Sequence, residues 1–231
     1  MELSVDTSTR YASVALSREG AVLVEITWRS ERNHSVELVP AIREVLRRGM
    51  TKTSELESIF IARGPGGFSA LRVGISTVKT MAVSLGIPLV SVGTLDAEAL
   101  PYLNVGRRVC AIIGAGRDRL YVGWFDAASR LERPRYEVLT NEEFLGKIDG
   151  DTLLCGEEAM AMTESVRERH GEHAFISAMQ PPTRRAGTIA DLGYSRLQSG
   201  ERDDPITLEP LYLRSSQVDT ANRAWSKAKG S

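Results

Sequence analysis

Cysteine is scarce in this sequence, and signals for export or membrane insertion are missing. The 231 residues include two cysteines, Cys110 and Cys155, which lie in hydrophobic surroundings without the spacing of a metal site. We therefore expect two buried thiols in a reducing compartment. Glu2 and Asp6 interrupt the first apolar run, which excludes a signal peptide or a membrane span there. These absences predict a cytoplasmic protein that does not bind membranes.

An excess of charge of either sign is also missing. The 29 basic and 30 acidic residues give a formal net charge of −1. This balance provides no general attraction to nucleic-acid phosphates, although it leaves RNA contact through a local patch or a partner open. The hydrophobic fraction of 42% and the charged fraction of 26% are typical of globular proteins. The length suits one large domain or two small ones.

The apolar pattern of residues 1–100 predicts an α/β domain with the order β-β-β-α-β-α-β. Alternation indicates an antiparallel meander, and a helical period follows in which Pro40 should kink the helix or restrict it to later residues. Thr94 is predicted to be the N-cap of a short helix. The predicted strands are residues 3–5, 12–16, 21–26, 58–62 and 87–92, and the predicted helices are residues 34–48, 68–85 and 94–100.

Residues 101–231 are predicted to form a second, smaller domain that repeats this pattern less clearly. We expect a loop at residues 181–185 and a disordered end from about residue 219. The predicted strands are residues 108–113, 120–125, 136–139 and 152–155, and the predicted helices are residues 157–169 and 188–198.

A glycine loop carries the strongest local signal. Gly64, Gly66 and Gly67 lie between a buried strand and a long helix, where backbone N–H groups and the helix dipole could hold a phosphate. The lysine of phosphate-binding loops is absent. The alternative is a tight strand-to-helix turn in which glycine allows positive φ and close packing.

The polar residues Asp6, Thr7 and Ser8 end the first predicted strand and allow two interpretations. In kinase-like ATPases, a carboxylate at this point faces a metal-bound phosphate and the hydroxyls hold phosphate oxygens. Alternatively, the side chains stabilise a hairpin turn by bonding nearby backbone amides. The chain shows no second acidic motif, which favours the turn.

The helix over residues 68–85 is apolar on more than one side, which indicates burial on several sides. Ala70 and Gly74, with Thr77 or Val78, form a track of small side chains. Glycine inside a helix costs about 1 kcal/mol relative to alanine, so Gly74 indicates close backbone approach. The approaching surface is either the chain's own sheet or another subunit.

Several segments, in order, resemble the TsaB (YeaZ) family. They are Asp-Thr-Ser-Thr at residues 6–9 with residues 12–16, His-Ser at residues 34–35 with residues 38–42, and Arg-Gly-Pro-Gly-Gly-Phe-Ser-Ala-Leu-Arg-Val-Gly at residues 63–74 with residues 86–90. Glu-Pro-Leu-Tyr-Leu-Arg at residues 209–214 resembles the family's closing motif. The resemblance implies an α/β, duplicated actin- or sugar-kinase-like (ASKHA) fold with two mixed-sheet domains.

The resemblance also implies a non-catalytic partner subunit in the synthesis of threonylcarbamoyladenosine at position 37 of tRNA. Such a subunit dimerises when alone, binds a TsaD-like catalytic subunit through the same surface, is joined by a TsaE-like ATPase, and meets tRNA indirectly. ATP and metal are expected in the partner subunits and no cofactor in this one. The interface residues that the resemblance implies are His34, Val36, Val39, Arg43, Phe68, Arg72, Val73, Gly74, Thr77 and Met81.

The chain departs from the catalytic relative at the metal site. That relative carries a His-x-x-x-His pair where this chain has Thr94 and Glu98, so we expect no metal site and no catalytic residue. His34 is expected to cap a helix or lie at the surface, and His170 and His173 are expected to be solvated. Gly67 also lacks the hydroxyl of common family members, and the family's acidic residue is missing from residues 114–117.

An enzymatic alternative is an ATP-binding phosphotransferase of the same superfold that uses Asp6 and the glycine loop. It needs a lysine or carboxylate partner that the sequence does not identify. A peptidase is excluded, because no serine or cysteine is paired with a placed histidine.

Overall fold

The computed structural model describes residues 1–31, 33–126, 135–171 and 174–213. Its strands are β1 (Glu2–Asp6), β2 (Tyr11–Arg18), β3 (Ala21–Arg29), β4 (Ser58–Ala62), β5 (Leu89–Val92), β6 (Arg108–Gly114), β7 (Arg119–Phe125), β8 (Arg135–Thr140), β9 (Thr152–Cys155) and β10 (Phe175–Ile176). Its α-helices are α1 (His34–Arg48), α2 (Phe68–Leu85), α3 (Thr94–Ala99), α4 (Asn141–Lys147), α5 (Thr163–His170) and α6 (Ala186–Gln198).

The chain forms two compact units, and their division differs from the predicted one. The first unit combines Met1–Ala97 with Arg184–Leu211, whereas the second contains the described residues of Glu98–Thr183 together with Tyr212 and Leu213. The prediction that residues 101–231 form one domain is therefore wrong for Arg184–Leu211. The cause is tertiary, because α6 packs against the sheet of the first unit.

The sheet of the first unit is mixed and has the order β3-β2-β1-β4-β5. β2 runs antiparallel to β1 and β3, which confirms the predicted meander, while β1, β4 and β5 are mutually parallel. Parallel strands place their carboxyl ends at one edge, so the segments that follow β1, β4 and β5 meet there. Asp6, Thr7 and Ser8 lie at the end of β1, and the glycine loop follows β4.

Helices cover both faces of this sheet because side chains alternate between the faces along each strand. Leu3 and Ile59 belong to a core cluster that includes Leu38 of α1 and Val78 of α2. Phe60, adjacent to Ile59, points to the other face. There Gly193 of α6 lies so close that an added Cβ would come within 2.3 Å of the Phe60 ring.

The second unit repeats the strand arrangement of the first. Its sheet has the order β10-β9-β6-β7-β8, in which β6 is parallel to β9 and antiparallel to β7. Because β6 to β10 correspond in order and direction to β1 to β5, the predicted duplication is confirmed. Trp124 and Phe144 pack in its core.

Some element predictions for the second half need correction. The helix predicted over residues 157–169 begins at Thr163, because residues 157–162 form turns. Helix α4 was not predicted, although Thr140 and Glu143 form the capping box that marks its start. The predicted disordered end and His173 lie outside the described residues.

Two local predictions concern Pro40 and the cysteines. Helix α1 spans both sides of Pro40, so the prediction that it is restricted to later residues is wrong. Cys110 and Cys155 are buried free thiols, as predicted, and burial raises the pKa of both. Within the described ranges, no helix combines the length and apolarity that crossing a bilayer requires.

Candidate functional site

The carboxylate of Asp6 is buried at the end of β1 and is held entirely by its own chain. Its Oδ1 accepts hydrogen bonds from the backbone N–H of Ser8 at 2.8 Å and from the Ser8 hydroxyl at 2.6 Å. Its Oδ2 accepts from the Nε of Arg184, with which it forms a buried ion pair. Both carboxylate oxygens therefore have partners, as the predicted turn requires.

Arg184 was missed as a site residue, since the sequence placed it in a loop. Its Nη2 also donates to the hydroxyls of Ser8, at 3.0 Å, and Thr9, at 3.2 Å. The guanidinium thus binds two of the three side chains that the nucleotide hypothesis assigned to a metal-bound phosphate, Asp6 and Ser8. The hydroxyl of the third, Thr7, donates to the Ala70 carbonyl at 2.8 Å. The available signal was indirect, because a buried aspartate requires a cation somewhere in the fold.

The glycine loop packs backbone against backbone. The N–H of Gly67 donates to the carbonyl of Ser8 at 2.7 Å, and a Cβ on Gly66 would lie 2.2 Å from the same oxygen. Gly64 has a φ of +114° and faces the carbonyl of Leu211. This geometry favours a tight packing turn over a phosphate cradle, and it explains the glycines at positions 64 and 66. A Cβ on Gly67 would make only ordinary contacts of 3.7 Å.

The closing motif provides one side of this turn. The N–H of Leu211 donates to the carbonyl of Arg63 at 2.7 Å, and the N–H of Thr94 donates to the carbonyl of Gly64 at 2.9 Å. Three segments that are distant in sequence therefore meet through main-chain hydrogen bonds. The turn joins β4, α3 and the segment after α6 within the first unit.

Thr94 and Glu98 are both buried. Thr94 is the first helical residue of α3, and its buried Oγ1 has no hydrogen-bond partner in the described part of the chain, so the N-cap prediction is wrong. The buried carboxylate of Glu98 accepts the hydroxyl of Thr183 at 2.8 Å from each oxygen. In the described parts of the chain, no group of three or more His, Cys, Asp or Glu side chains is placed to hold a metal ion.

Helices α1 and α2 lie side by side and expose large apolar side chains on their outer surface. The exposed fractions are 72% for Val36, 44% for Val39 and 52% for Phe68. The guanidinium of Arg72 lies 3.9 Å above the Phe68 ring. We call this surface the two-helix face.

A groove of about 460 Å³ runs between the two helices on this face. Its lining is mostly apolar and includes hydroxyl groups and one arginine. The residues that line it are Val39, Ile42, Arg43, Leu46, Thr53, Ser76, Thr77, Thr80 and Met81. Exposed apolar side chains beside a groove are typical of a protein-binding surface.

The sequence profile described as TsaD, tRNA N6-adenosine threonylcarbamoyltransferase, matches residues 21–140, just over half of the chain. The tRNA threonylcarbamoyladenosine biosynthesis protein TsaB of Bacillus subtilis is 28% identical over 94% of this chain and 95% of its own length. The chain belongs to the TsaB (YeaZ) family. YeaZ from Pseudomonas aeruginosa, a solved structure, matches 92% of this chain and 99% of that one at 27% identity with a TM-score of 0.73.

A more distant structure supports the fold alone. A ROK family protein from Streptococcus pneumoniae has 10% identity and a TM-score of 0.51, and it covers 87% of this chain and 99% of its own. Together with the repeated strand order, this match confirms the predicted actin/sugar-kinase-like fold.

Two residues of the TsaB-type interface prediction are contradicted by their burial in the chain. His34 is buried, with Nε2 at 3.0 Å from the Thr9 carbonyl oxygen and Nδ1 at 3.4 Å from the Ser30 hydroxyl, so it is neither a surface residue nor an interface contact. Gly74 faces inward, where a Cβ would lie 2.3 Å from the hydroxyl oxygen of Thr7. Of the two surfaces left open for the small-residue track, the chain's own sheet is therefore the correct one at Gly74.

The other predicted interface residues lie at or beside the two-helix face. Val36, Val39, Arg43, Phe68 and Arg72 are exposed, whereas Val73, Thr77 and Met81 are half-buried. His170, predicted to be solvated, is also half-buried, and its Nε2 lies 2.7 Å from the Leu145 carbonyl oxygen.

Proposed function

We propose that this chain is the partner subunit that binds and supports a TsaD-like enzyme in the threonylcarbamoyl modification of adenosine 37 in tRNA. The family membership and the match over 94% of the chain to a TsaB protein support this role. The observation that carries it is the two-helix face, because its exposed apolar side chains and its groove are typical of a protein-binding surface. The chain itself supplies no chemistry in this proposal.

The two-helix face has the features of a helix-packing surface. Leu38 and Ile42 already satisfy the chain's own core, so the outward Val36 and Val39 add nothing to it. Burying an exposed valine contributes roughly 1.5–3 kcal/mol. Ser76 and Thr80 on α2 are small, which lets a partner helix approach the groove closely.

The nucleotide and metal of the reaction belong to the partner subunits in this proposal. The support is the internal pairing of Asp6 with Arg184, which leaves that carboxylate without an open position for a metal. A TsaE-like ATPase joins the assembly, and this chain contacts tRNA only indirectly, through the complex. The isolated chain forms a homodimer through the two-helix face, and the assembly works in the cytoplasm without membrane association.

Reconstitution tests the proposal. The chain is mixed with a TsaD-like protein, a TsaE-like ATPase, a threonylcarbamoyl donor and unmodified tRNA. Modified adenosine is then measured by mass spectrometry of the digested tRNA. We expect modification to depend on the chain. Wild-type protein that neither binds the TsaD-like protein nor raises modification would refute the proposal.

A matched pair of variants assigns the effect to the two-helix face. Val39→Asp places a charge in the groove and should weaken TsaD binding at least tenfold, as expected for an interface anchor. Ile206→Asp is the control, because Ile206 is also an exposed apolar residue of the first unit but does not line the groove. Equal binding by both variants would exclude the face.

The phosphotransferase alternative has a separate test. Calorimetry with ATP and Mg²⁺ on the isolated chain should give no binding at micromolar strength, because Arg184 holds Asp6. Binding that is lost in Asp6→Ala would favour the enzyme instead. No observation in the described residues favours it now.

A further inference from the structure

Arg43 is a cation in a mostly apolar groove, and it has no acidic partner among the described residues. It follows Val39 by four residues on α1, so both side chains lie on the same surface of the helix, and both line the groove. Arg43 is exposed, and none of the carboxylates in the described residues forms an ion pair with it. A partner that covers the groove must therefore take this charge out of water.

The neighbouring carboxylates are engaged elsewhere. Glu37 accepts a hydrogen bond from the indole N–H of Trp28 at 2.9 Å, and hydrogen bonds from Ser30 and Trp28 lower its pKa. Glu44 accepts hydrogen bonds from Arg47 and Arg48, which lower its pKa to about 2.

The rest of the groove also offers no negative charge to Arg43. The hydroxyls of Ser76 and Thr77 donate to the Val73 carbonyl, and that of Thr80 donates to the Ser76 carbonyl. Glu55, near the end of the groove, accepts the backbone N–H of Lys52. Arg72 also lies on the face, with its guanidinium over the Phe68 ring.

We propose that the docked partner supplies a carboxylate to Arg43, and that this contact makes the face prefer the partner over a second copy of the chain. The inference rests on the proposed function and specifies the chemistry of that partner. A covered arginine needs a hydrogen-bonding anion, since burying an unpaired charge costs several kcal/mol. A second copy in a two-fold dimer presents the same groove with its own Arg43, and so brings a like charge rather than a carboxylate.

Opposite salt dependences follow for the two assemblies. An attractive charge contact weakens as salt screens it, whereas a repulsive one is relieved. The Debye length falls from about 10 Å at 0.1 M to about 3 Å at 1 M ionic strength. We expect the complex with the TsaD-like protein to weaken over this range and self-association to strengthen.

The test uses two variants that each remove one positive charge from α1. Arg43→Gln removes the groove cation, and Arg47→Gln is its control, because Arg47 pairs with Glu44 and does not line the groove. Binding of the TsaD-like protein is measured by calorimetry, and self-association by analytical ultracentrifugation, each at 0.1 M and 1 M NaCl. Circular dichroism melts verify that both variants fold.

We expect Arg43→Gln to weaken the heteromeric complex roughly tenfold at 0.1 M NaCl, with little difference from wild type at 1 M. The same variant should associate with itself at least as tightly as wild type, and Arg47→Gln should behave as wild type. Equal effects of the two variants on the heteromeric complex, or a matching loss of self-association in Arg43→Gln, would overturn the inference alone. Wild-type protein that fails to bind the TsaD-like protein would instead overturn the proposed function.

Discussion

Removal of Arg184 tests how the first unit holds its polar edge. Arg184→Met keeps an unbranched side chain of similar length but leaves the Asp6 carboxylate buried without its cation. Breaking one partner of a buried ion pair costs about 3–5 kcal/mol, because the remaining charge is uncompensated. A domain has only about 5–15 kcal/mol of stability, so the loss should be large.

A double-mutant cycle isolates the pair. Asp6→Asn with Arg184→Met removes both charges, so the double variant should be less destabilised than the sum of the single variants. We expect a coupling free energy of at least about 1.5 kcal/mol, at the level of hydrogen bonds to charged groups. Urea unfolding followed by circular dichroism measures the free energies.

Hydrogen exchange locates the effect. Because Asp6 and Arg184 both belong to the first unit, amide exchange should accelerate in β1 and β2 and remain unchanged in β6 and β7. The reasoning would be refuted if Arg184→Met cost less than about 1 kcal/mol, below the range for an unpaired buried charge. Additive single variants, with no coupling, would refute it equally.

The remaining predictions concern packing, thiol burial and helix capping. Gly74→Ala should destabilise the chain by about 1–3 kcal/mol in thermal denaturation, because the added methyl group overpacks against Thr7. Gly86→Ala is the control for backbone strain alone, since Gly86 has a positive φ but open space around it. An unchanged melting temperature in Gly74→Ala would contradict the inward placement of Gly74. Cys110 and Cys155 should resist a thiol reagent at pH 8 until urea is added. Because burial raises the pKa of both thiols in the folded state, the unfolded state loses its thiol protons first, and stability should fall as pH rises above about 8.5. Rapid labelling of the native protein would contradict the burial of the thiols. Thr140→Ala should lower the free energy of unfolding by about 1 kcal/mol, because it removes the N-cap of α4. Thr207→Ala, at an exposed loop position, should lower it by less, and equal losses in the two variants would argue against the cap.

The predictions succeeded where the information was local. The helix spanning His34–Arg48 and the strand at Ser58–Ala62 follow from apolar periodicity, and both were placed at their observed bounds. The glycine loop between β4 and α2 was located from its composition. Its phosphate-binding interpretation loses support because the partners of that loop, Ser8 and Leu211, come from elsewhere in the chain.

The errors share a different cause. Helix α6 has an ordinary helical pattern, and nothing in it indicates that it packs on the first sheet rather than on its sequence neighbours. Gly74 marks close approach in either direction, and only its contact with Thr7, the residue that follows β1, shows that the approach is internal. His34 looked like a surface residue because its partners, Ser30 and the carbonyl of Thr9, do not form a recognisable motif with it.

The sequence by itself determined the periodic elements, the duplicated α/β fold and the family, because periodicity and contiguous motifs are local properties of a chain. Tertiary structure alone decided that Arg184 neutralises Asp6 across 178 residues and that α6 returns to the first unit. It also decided which side chains of α1 and α2 remain exposed. Burial depends on which distant segments fill a surface, and that choice leaves no trace in the neighbouring sequence.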